Sequence, residues 1–179
     1  MDINQHNRFQ NLSKAQKERY MRWALKEARK AMAINEVPVG AVIVKDGKII
    51  AKAHNIKEQK KNSLYHAEIV ALQKACKVIG DWRLNECDIF VTLEPCPMCA
   101  GALINARIGN IFFGAYDERA GCCGTLYDLP SDVRFNHRPN VEGGIMQKEC
   151  AEVLKEYFRQ KRQEIKEQKQ KSKEDCQKS

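Results

Sequence analysis

Hydrophobic positions near the start of the chain recur at a roughly helical period, which predicts a helix from Ser13 to Ala33 with Ser13 as its N-cap. Two apolar runs follow, Val39 to Val44 and Ile49 to Ala53, separated by Asp46-Gly47. Asp-Gly between such runs predicts a β-hairpin, because the tight turn requires positive φ angles. The first run hardly alternates between apolar and polar residues, so we expect a strand buried on both faces.

Helices and strands then alternate along the chain. The pattern predicts helices over 66–79, 97–106 and from about 147 onwards, and strands over 87–93, 108–115 and, weakly, 141–145, with an irregular stretch over 116–139. This order predicts an α/β fold: a three-layer α/β/α sandwich with a five-stranded mixed sheet, opened by the hairpin and continued by crossover helices. We expect one domain over 1–165, and a basic, polar tail over 166–179 that frays into solvent.

Composition changes the picture in two ways. The chain has 179 residues, of which 43% are hydrophobic, and no apolar run is long enough to span a membrane. Its polar N-terminus is not typical of a signal peptide, so we expect a cytoplasmic protein whose eight cysteines stay reduced. The net charge of +8 modestly favours a nucleic-acid partner.

The candidate chemistry begins with Cys96 and Cys99, which stand where a predicted strand gives way to a helix. Pro97 suits the first helical position, and both sulfurs then lie in the first turn, where the helix dipole favours thiolates. A disulfide, a redox pair and half of a metal site are three competing interpretations. The reducing compartment weakens the first, but the pair alone does not decide between the other two.

His66-Ala67-Glu68 opens another predicted helix and favours the metal. One imidazole and two thiolates make three zinc ligands, and a catalytic zinc site keeps its fourth position for water. A fourth protein ligand at Cys122, Cys123, Cys87 or His54 has no motif spacing to these three. Glu68 lies two residues after His66 and points to a different side of the helix, where it can act as general base and then general acid toward that water.

The pattern H-A-E followed by P-C-P-M-C resembles the zinc deaminase signature. Over about 20–158 the chain most resembles the bacterial tRNA-specific adenosine deaminase family, of the cytidine/deoxycytidylate deaminase superfamily. The stretches that carry the resemblance are EVPVGAV, AHN, HAEIVAL, DWRL, VTLEPCPMCAGAL, ARI, FFGA, NHR and GG. It departs from the family at Asn62 to Tyr65, where D-P-T-A is usual, and at Cys122-Cys123, which we interpret as two small hydrophobic residues.

The resemblance implies a cytidine deaminase-like fold that converts the wobble adenosine of a tRNA anticodon to inosine. One Zn²⁺ per subunit would be held by His66, Cys96 and Cys99, with Glu68 as the proton shuttle and no organic cofactor. The resemblance further implies that substrate-binding residues surround this site and that the protein is a homodimer that binds the anticodon stem-loop, with no membrane association. The implied substrate-binding residues are Asn55, Val37, Pro38 and Asp117.

The last predicted helix adds Phe158 and Arg159 as candidate RNA contacts, because an aromatic ring beside basic groups can stack bases and hold phosphates. The alternative for Phe158 is a core position. Two other functions remain open: deamination of a free base or nucleotide of guanine or cytosine type on the same scaffold, and a silent RNA-binding module that keeps zinc for structure. An intact Glu68 argues against the silent module.

Overall fold

The computed structural model describes residues 12–177, with side-chain surroundings through residue 172. The helices and strands are α1 Lys14–Ala33, β1 Gly40–Lys45, β2 Lys48–His54, α2 Lys57–Lys60, α3 Ala67–Ile79, β3 Cys87–Leu93, α4 Pro97–Asn105, β4 Asn110–Ala115, β5 Asn140–Glu142 and α5 Gln147–Gln177, with a 3₁₀ turn at Leu129–Ser131. The expectation that the N-terminus is no signal peptide concerns residues 1–11, and the last tail residues, 178 and 179, also lie outside this range. No described helix is both long and apolar enough to cross a bilayer.

The predicted five-stranded mixed sheet is confirmed, with strand order β2-β1-β3-β4-β5. β1 runs antiparallel to both β2 and β3, whereas β3, β4 and β5 are parallel. The hairpin turn lies at Asp46 and Gly47, whose φ angles are 49° and 74° as a tight primed turn requires. Parallel strands place their carboxyl ends at one edge, so the segments after β3 and β4 meet there.

Two hydrophobic cores sandwich the sheet, which confirms the three layers. Successive residues of β1 point to opposite faces: Ala41 and Ile43 pack toward α3 and α4, and Val42 and Val44 pack toward α1 and α5. All five residues from Gly40 to Val44 are buried, as the near-continuous apolar run predicts. The helices α3 and α4, which begin at the predicted metal ligands, therefore rest on the same face of the sheet.

Gly40 brings α1 into direct contact with the start of β1. A Cβ atom at this position would lie 2.1 Å from the carbonyl oxygen of Ala24 and 2.3 Å from the backbone nitrogen of Ala28. Only glycine allows the strand and helix backbones to approach so closely. Ser13 caps the same helix, as predicted, by accepting a hydrogen bond from the backbone N–H of Gln16.

Several predicted boundaries need correction. β4 begins at Asn110 rather than 108, α4 ends at Asn105, and β5 covers Asn140–Glu142 rather than 141–145, because Gly143-Gly144 ends the strand. The larger correction concerns the tail, which does not fray at 166 but continues as part of α5 to Gln177. Residues there are mostly Lys, Glu and Gln, good helix formers that support an exposed helix through side-chain pairs one turn apart.

Candidate metal centre and active site

His66, Cys96 and Cys99 converge at the ends of two helices, and they form the candidate metal group among the described residues. His66 is the N-cap of α3, Cys96 is the N-cap of α4, and Cys99 lies in the first turn of α4 behind Pro97. The Nδ1 atom of His66 is 3.6 Å from each of the two sulfurs. A tetrahedral zinc ion with ordinary Zn–S and Zn–N bonds requires an N···S separation of about 3.6 Å, so the spacing fits zinc.

The electrostatics of this group also suit a cation. The hydrogen bond from the Cys99 thiol, together with the bond to His66, lowers the pKa of Cys96 to about 4, even though burial opposes the shift. The hydrogen bond to Cys96 and burial instead raise the pKa of Cys99, so that sulfur keeps its proton when no cation is present. The bond to Cys96 likewise raises the pKa of His66. A bound cation would displace the protons from this group.

Glu68 lies in the first turn of α3 and is only 4% exposed. Burial raises the pKa of its carboxyl group to about 7. Its side chain lines the same cavity as His66 and Cys96. A position two residues after His66 on the helix therefore still allows Glu68 to reach the metal group. A carboxyl group in this place can accept a proton and return it.

The cavity beside the metal group has a volume of about 180 Å³. Its lining includes His66, Glu68 and Cys96 together with three of the residues expected to bind substrate, namely Val37, Asn55 and Asp117. Pro38 is buried beside Val37 and does not belong to the lining.

A larger groove of about 670 Å³ adjoins the cavity and shares Val37, Leu93 and Asp117 with it. Phe158 lines this groove and is 45% exposed, so the core alternative for its ring is wrong. Arg159 is exposed on α5 but lines neither the groove nor the cavity.

Asn55 joins two walls of the cavity. Its side-chain nitrogen donates a hydrogen bond to the carbonyl oxygen of Val37 at 3.1 Å. Its side-chain oxygen accepts a bond from the backbone N–H of Ala67 at 2.8 Å. Because Ala67 stands between His66 and Glu68, Asn55 fixes the start of α3 relative to the segment that carries Val37.

Glu94 is a site residue that the sequence reasoning missed. It directly precedes Pro95-Cys96, is only 2% exposed and organises the segment after β4. Its carboxylate accepts hydrogen bonds from the backbone N–H groups of Asp117, Cys123 and Thr125, and from the hydroxyl group of Thr125. The signal available in the sequence was a single acid at the end of the apolar run VTLEP.

Two more buried acids escaped the sequence reasoning. Glu36 is 1% exposed, lines the cavity and accepts a hydrogen bond from the backbone N–H of Gln59 at 2.8 Å. Glu27 on α1 contacts Lys30 at 2.6 Å and the imidazole of His54 at 3.0 Å. Burial would raise the pKa of Glu27, but the bonds to Lys30 and His54 outweigh it and lower that pKa.

The remaining departures have structural roles. The seven cysteines between residues 12 and 172 are free thiols, so no disulfide is present in that part of the chain. Cys122 and Cys123 are buried in the hydrophobic core, as two small hydrophobic residues would be. In the altered segment before α3, the side chain of Asn62 accepts a hydrogen bond from the backbone N–H of Leu64, which forms a turn that leads into His66.

An α/β/α sandwich with a His/Cys/Cys group at two helix starts and a buried glutamate beside it has the arrangement of a nucleobase deaminase. The chain belongs to the MafB19-like deaminase family, whose model matches residues 15–162.

Comparison with individual proteins indicates which kinds of deaminase this chain is similar to. The tRNA-specific adenosine deaminase of Bacillus subtilis is 48% identical over 151 residues, which cover 84% of this chain and 94% of that protein. A solved structure from a study of A-to-I editing by tRNA:A34 deaminases at the wobble position of transfer RNA is 40% identical, has a TM-score of 0.74, and the match covers 76% of this chain and 99% of that one. Guanine deaminase from Bacillus subtilis is 37% identical with a TM-score of 0.55, over 63% of this chain and 72% of its own.

Proposed function

We propose that this protein hydrolyses adenosine to inosine at the wobble position of a tRNA anticodon, releasing ammonia. The observation that carries the proposal is a small cavity that contains His66, Cys96 and Glu68 and opens into a larger groove. A cavity of about 180 Å³ is small beside the roughly 300–1,000 Å³ of pockets for drug-sized ligands. It suits one base, while the groove can take the nucleotides on either side.

Zinc is the cation that we propose for the metal group, with one ion per subunit held by His66, Cys96 and Cys99. When bound, zinc supplies the Lewis acidity that makes water a nucleophile at neutral pH. The separation of 3.6 Å between nitrogen and each sulfur supports this choice. No organic cofactor enters the proposal.

Glu68 then moves the protons. It takes one from the attacking water as oxygen bonds to C6 of adenine, and it delivers one to N1 of the ring. Glu68 then takes the proton of the new C6 hydroxyl group and passes it to the exocyclic amine, so that the C6–N bond breaks, ammonia leaves and C6=O forms. The carboxylate is thereby restored, and one water is consumed for each ammonia released. The burial of Glu68 keeps bulk water from competing for these protons.

Substrate binding is shared between the cavity and the groove. An amide nitrogen has two hydrogens, so Asn55 can bond the base or ribose while it holds Val37. Val37, with Pro38 behind it, walls the base, and Asp117 at the shared rim faces the ribose of a neighbouring nucleotide. In the groove Phe158 stacks a base, and Arg159 on the exposed side of α5 meets the backbone. A tRNA substrate implies a cytoplasmic site of action, and we expect a homodimer that light scattering can detect.

Guanine deamination is the second candidate, favoured by the likeness to the Bacillus subtilis guanine deaminase. A free base has no need of the larger groove that adjoins the cavity. Parallel assays on an anticodon stem-loop with a wobble adenosine, on free adenosine and on guanine separate the candidates. Ammonia release from guanine alone would replace our proposal with this one.

The direct test is Glu68→Ala, assayed on the stem-loop with the wobble adenosine. We expect one zinc per chain by elemental analysis, as in the wild type, and inosine formation reduced at least about a thousand-fold, because general acid–base catalysis and proton delivery are both lost. A stem-loop with guanosine at the wobble position is the matched substrate control. Full activity in Glu68→Ala would refute the mechanism, and absence of zinc from the wild-type protein would refute the metal assignment.

A further inference from the structure

The outer part of α5 separates its charges by sign. With 3.6 residues per turn, six of the eight Lys and Arg residues between 147 and 172 fall within an arc of about 80°. No Asp or Glu of that segment lies in the arc. We call this set the basic stripe, and its members are Lys148, Lys155, Arg159, Arg162, Lys166 and Lys169.

The side-chain pairs on the outer part of α5 lie outside the stripe. Away from the stripe, Lys161 pairs with Glu164 at 2.7 Å, and Gln163 donates to Glu167 at 3.1 Å. Across residues 12–172, in contrast, no carboxylate is paired with the stripe's exposed members from Lys155 onward. Unpaired cations in a row on one face attract a polyanion more strongly than the net charge of the helix suggests.

The stripe starts at the substrate groove and leads away from it. Lys155 and Arg162 line that groove together with Phe158. Lys166 and Lys169 follow Arg162 by four and seven residues on the same side of the helix, so Lys169 lies about 10 Å farther along the axis. Both side chains are exposed. The wall of the groove that α5 provides and the outer stripe therefore form one continuous row of cations, while the acids Asp117 and Glu118 belong to another part of the groove lining.

We propose that Lys166 and Lys169 bind backbone phosphates in the stem of the same RNA whose loop enters the groove. This inference rests on the proposed function, because it needs an anticodon loop in the cavity. The stem is continuous with the loop, and the outer stripe is a basic surface that leads out of the groove in which the loop would lie. The stripe offers the stem cations one helical turn apart, a spacing suited to successive phosphates. Contacts to phosphates carry no sequence information, so we expect the contact to be independent of the stem sequence.

The test compares Lys169→Glu with Lys171→Glu. Both reversals change the net charge equally and lie two residues apart, but Lys171 is on the opposite side of α5. The probe is an anticodon stem-loop with a wobble adenosine and a full-length stem. We expect the Kd of Lys169→Glu to rise about ten-fold and its salt slope to fall by about one, whereas Lys171→Glu stays within about two-fold of the wild type.

A second probe, a hairpin whose stem is cut to its closing pairs, locates the contact. The difference between Lys169→Glu and the wild type should disappear on this hairpin. Equal affinities of Lys169→Glu and Lys171→Glu for the full stem, or an undiminished difference on the short one, would overturn the inference. Lys169→Gln provides the milder variant if reversal reduces helicity by circular dichroism. Failure of wild-type protein to form inosine in either probe would instead refute the proposed function.

Discussion

Replacing Glu94 with glutamine keeps the size of the side chain but exchanges one accepting oxygen for a donating NH₂ group. The retained oxygen can still accept from the backbone N–H groups of Cys123 and Thr125. The new NH₂ group then faces the backbone N–H of Asp117 and the hydroxyl of Thr125. The hydroxyl can rotate to accept, but the N–H of Asp117 cannot.

The expected loss of stability follows from the one backbone N–H group, that of Asp117, that is left without an acceptor. Losing one hydrogen bond to a charged group costs about 1.5–3 kcal/mol, and leaving a buried N–H without a partner costs about 1–3 kcal/mol. We therefore expect Glu94→Gln to reduce the free energy of unfolding by about 3–5 kcal/mol. In a domain of this size that corresponds to a fall in Tm of roughly 10 °C.

The assay combines thermal unfolding with kinetics on the anticodon stem-loop. Asp117 stands at the rim shared by cavity and groove, so its displacement should lower kcat/KM about a hundred-fold, as a misplacement of about 1 Å can. Zinc content should be unchanged, because the metal ligands are intact. Glu167→Gln, an exposed acid on α5, is the matched control and should stay within about 0.5 kcal/mol of the wild type.

Gly121→Ala tests the same contact from the other side. A Cβ atom there would lie 2.3 Å from a carboxylate oxygen of Glu94 and 2.6 Å from the carbonyl oxygen of Asp117. We expect the same combination of lower Tm, lower kcat/KM and retained zinc. If Glu94→Gln unfolds at the wild-type temperature with wild-type kcat/KM, the idea that this acid positions the loop is refuted.

Three further predictions concern the scaffold and the metal. Gly40→Ala should lose about 3 kcal/mol in urea unfolding, since its Cβ would meet the backbone of α1, and an unchanged midpoint would contradict that packing. Glu27→Gln tests a carboxyl group whose pKa in the folded protein is lowered below its ordinary value by the bonds to Lys30 and His54: its stabilising effect is present above the ordinary pKa and is lost as the pH falls through the lowered pKa. Wild type should therefore be more stable than Glu27→Gln near neutral pH, by about 1–3 kcal/mol, and the difference should shrink as the pH falls through the lowered pKa of this carboxyl group; a constant difference would contradict the contacts with Lys30 and His54. A chelator should lower the Tm of the wild type but not that of Cys99→Ala, and an equal effect on both would argue against metal at this site.

Local chemistry explains which parts of the fold the sequence predicts. Asp46-Gly47 determines the hairpin because its positive φ angles are a local requirement. Pro97 marks the start of α4 because its fixed φ angle and missing N–H suit the first helical position. The spacing of His66, Cys96 and Cys99 indicates the metal group because each ligand begins or opens a helix. In these cases the information lies within a few residues of the feature.

The buried acids depend instead on distant donors. The bonds to Glu94 come from residues 23 to 31 positions later in the chain, so nothing near VTLEP distinguishes it from an exposed acid. Glu27 likewise meets His54 only after β2 is in place. The course of α5 differs from the prediction for the opposite reason, because low hydrophobicity by itself favours fraying, whereas local pairs such as Lys161 and Glu164 support an exposed helix.

The attachment of Glu94 to the segment after β4 has a consequence for protein engineering. That segment holds the rim residue Asp117, and exchanging it between deaminases is an obvious way to redirect substrate choice. A transplanted loop must nevertheless bring backbone amides that meet this acid and a glycine where Gly121 stands. A graft selected for its rim residue alone would leave this buried acid without its donors, and the new loop would gain the chosen side chain but lose the anchor that holds it at the rim.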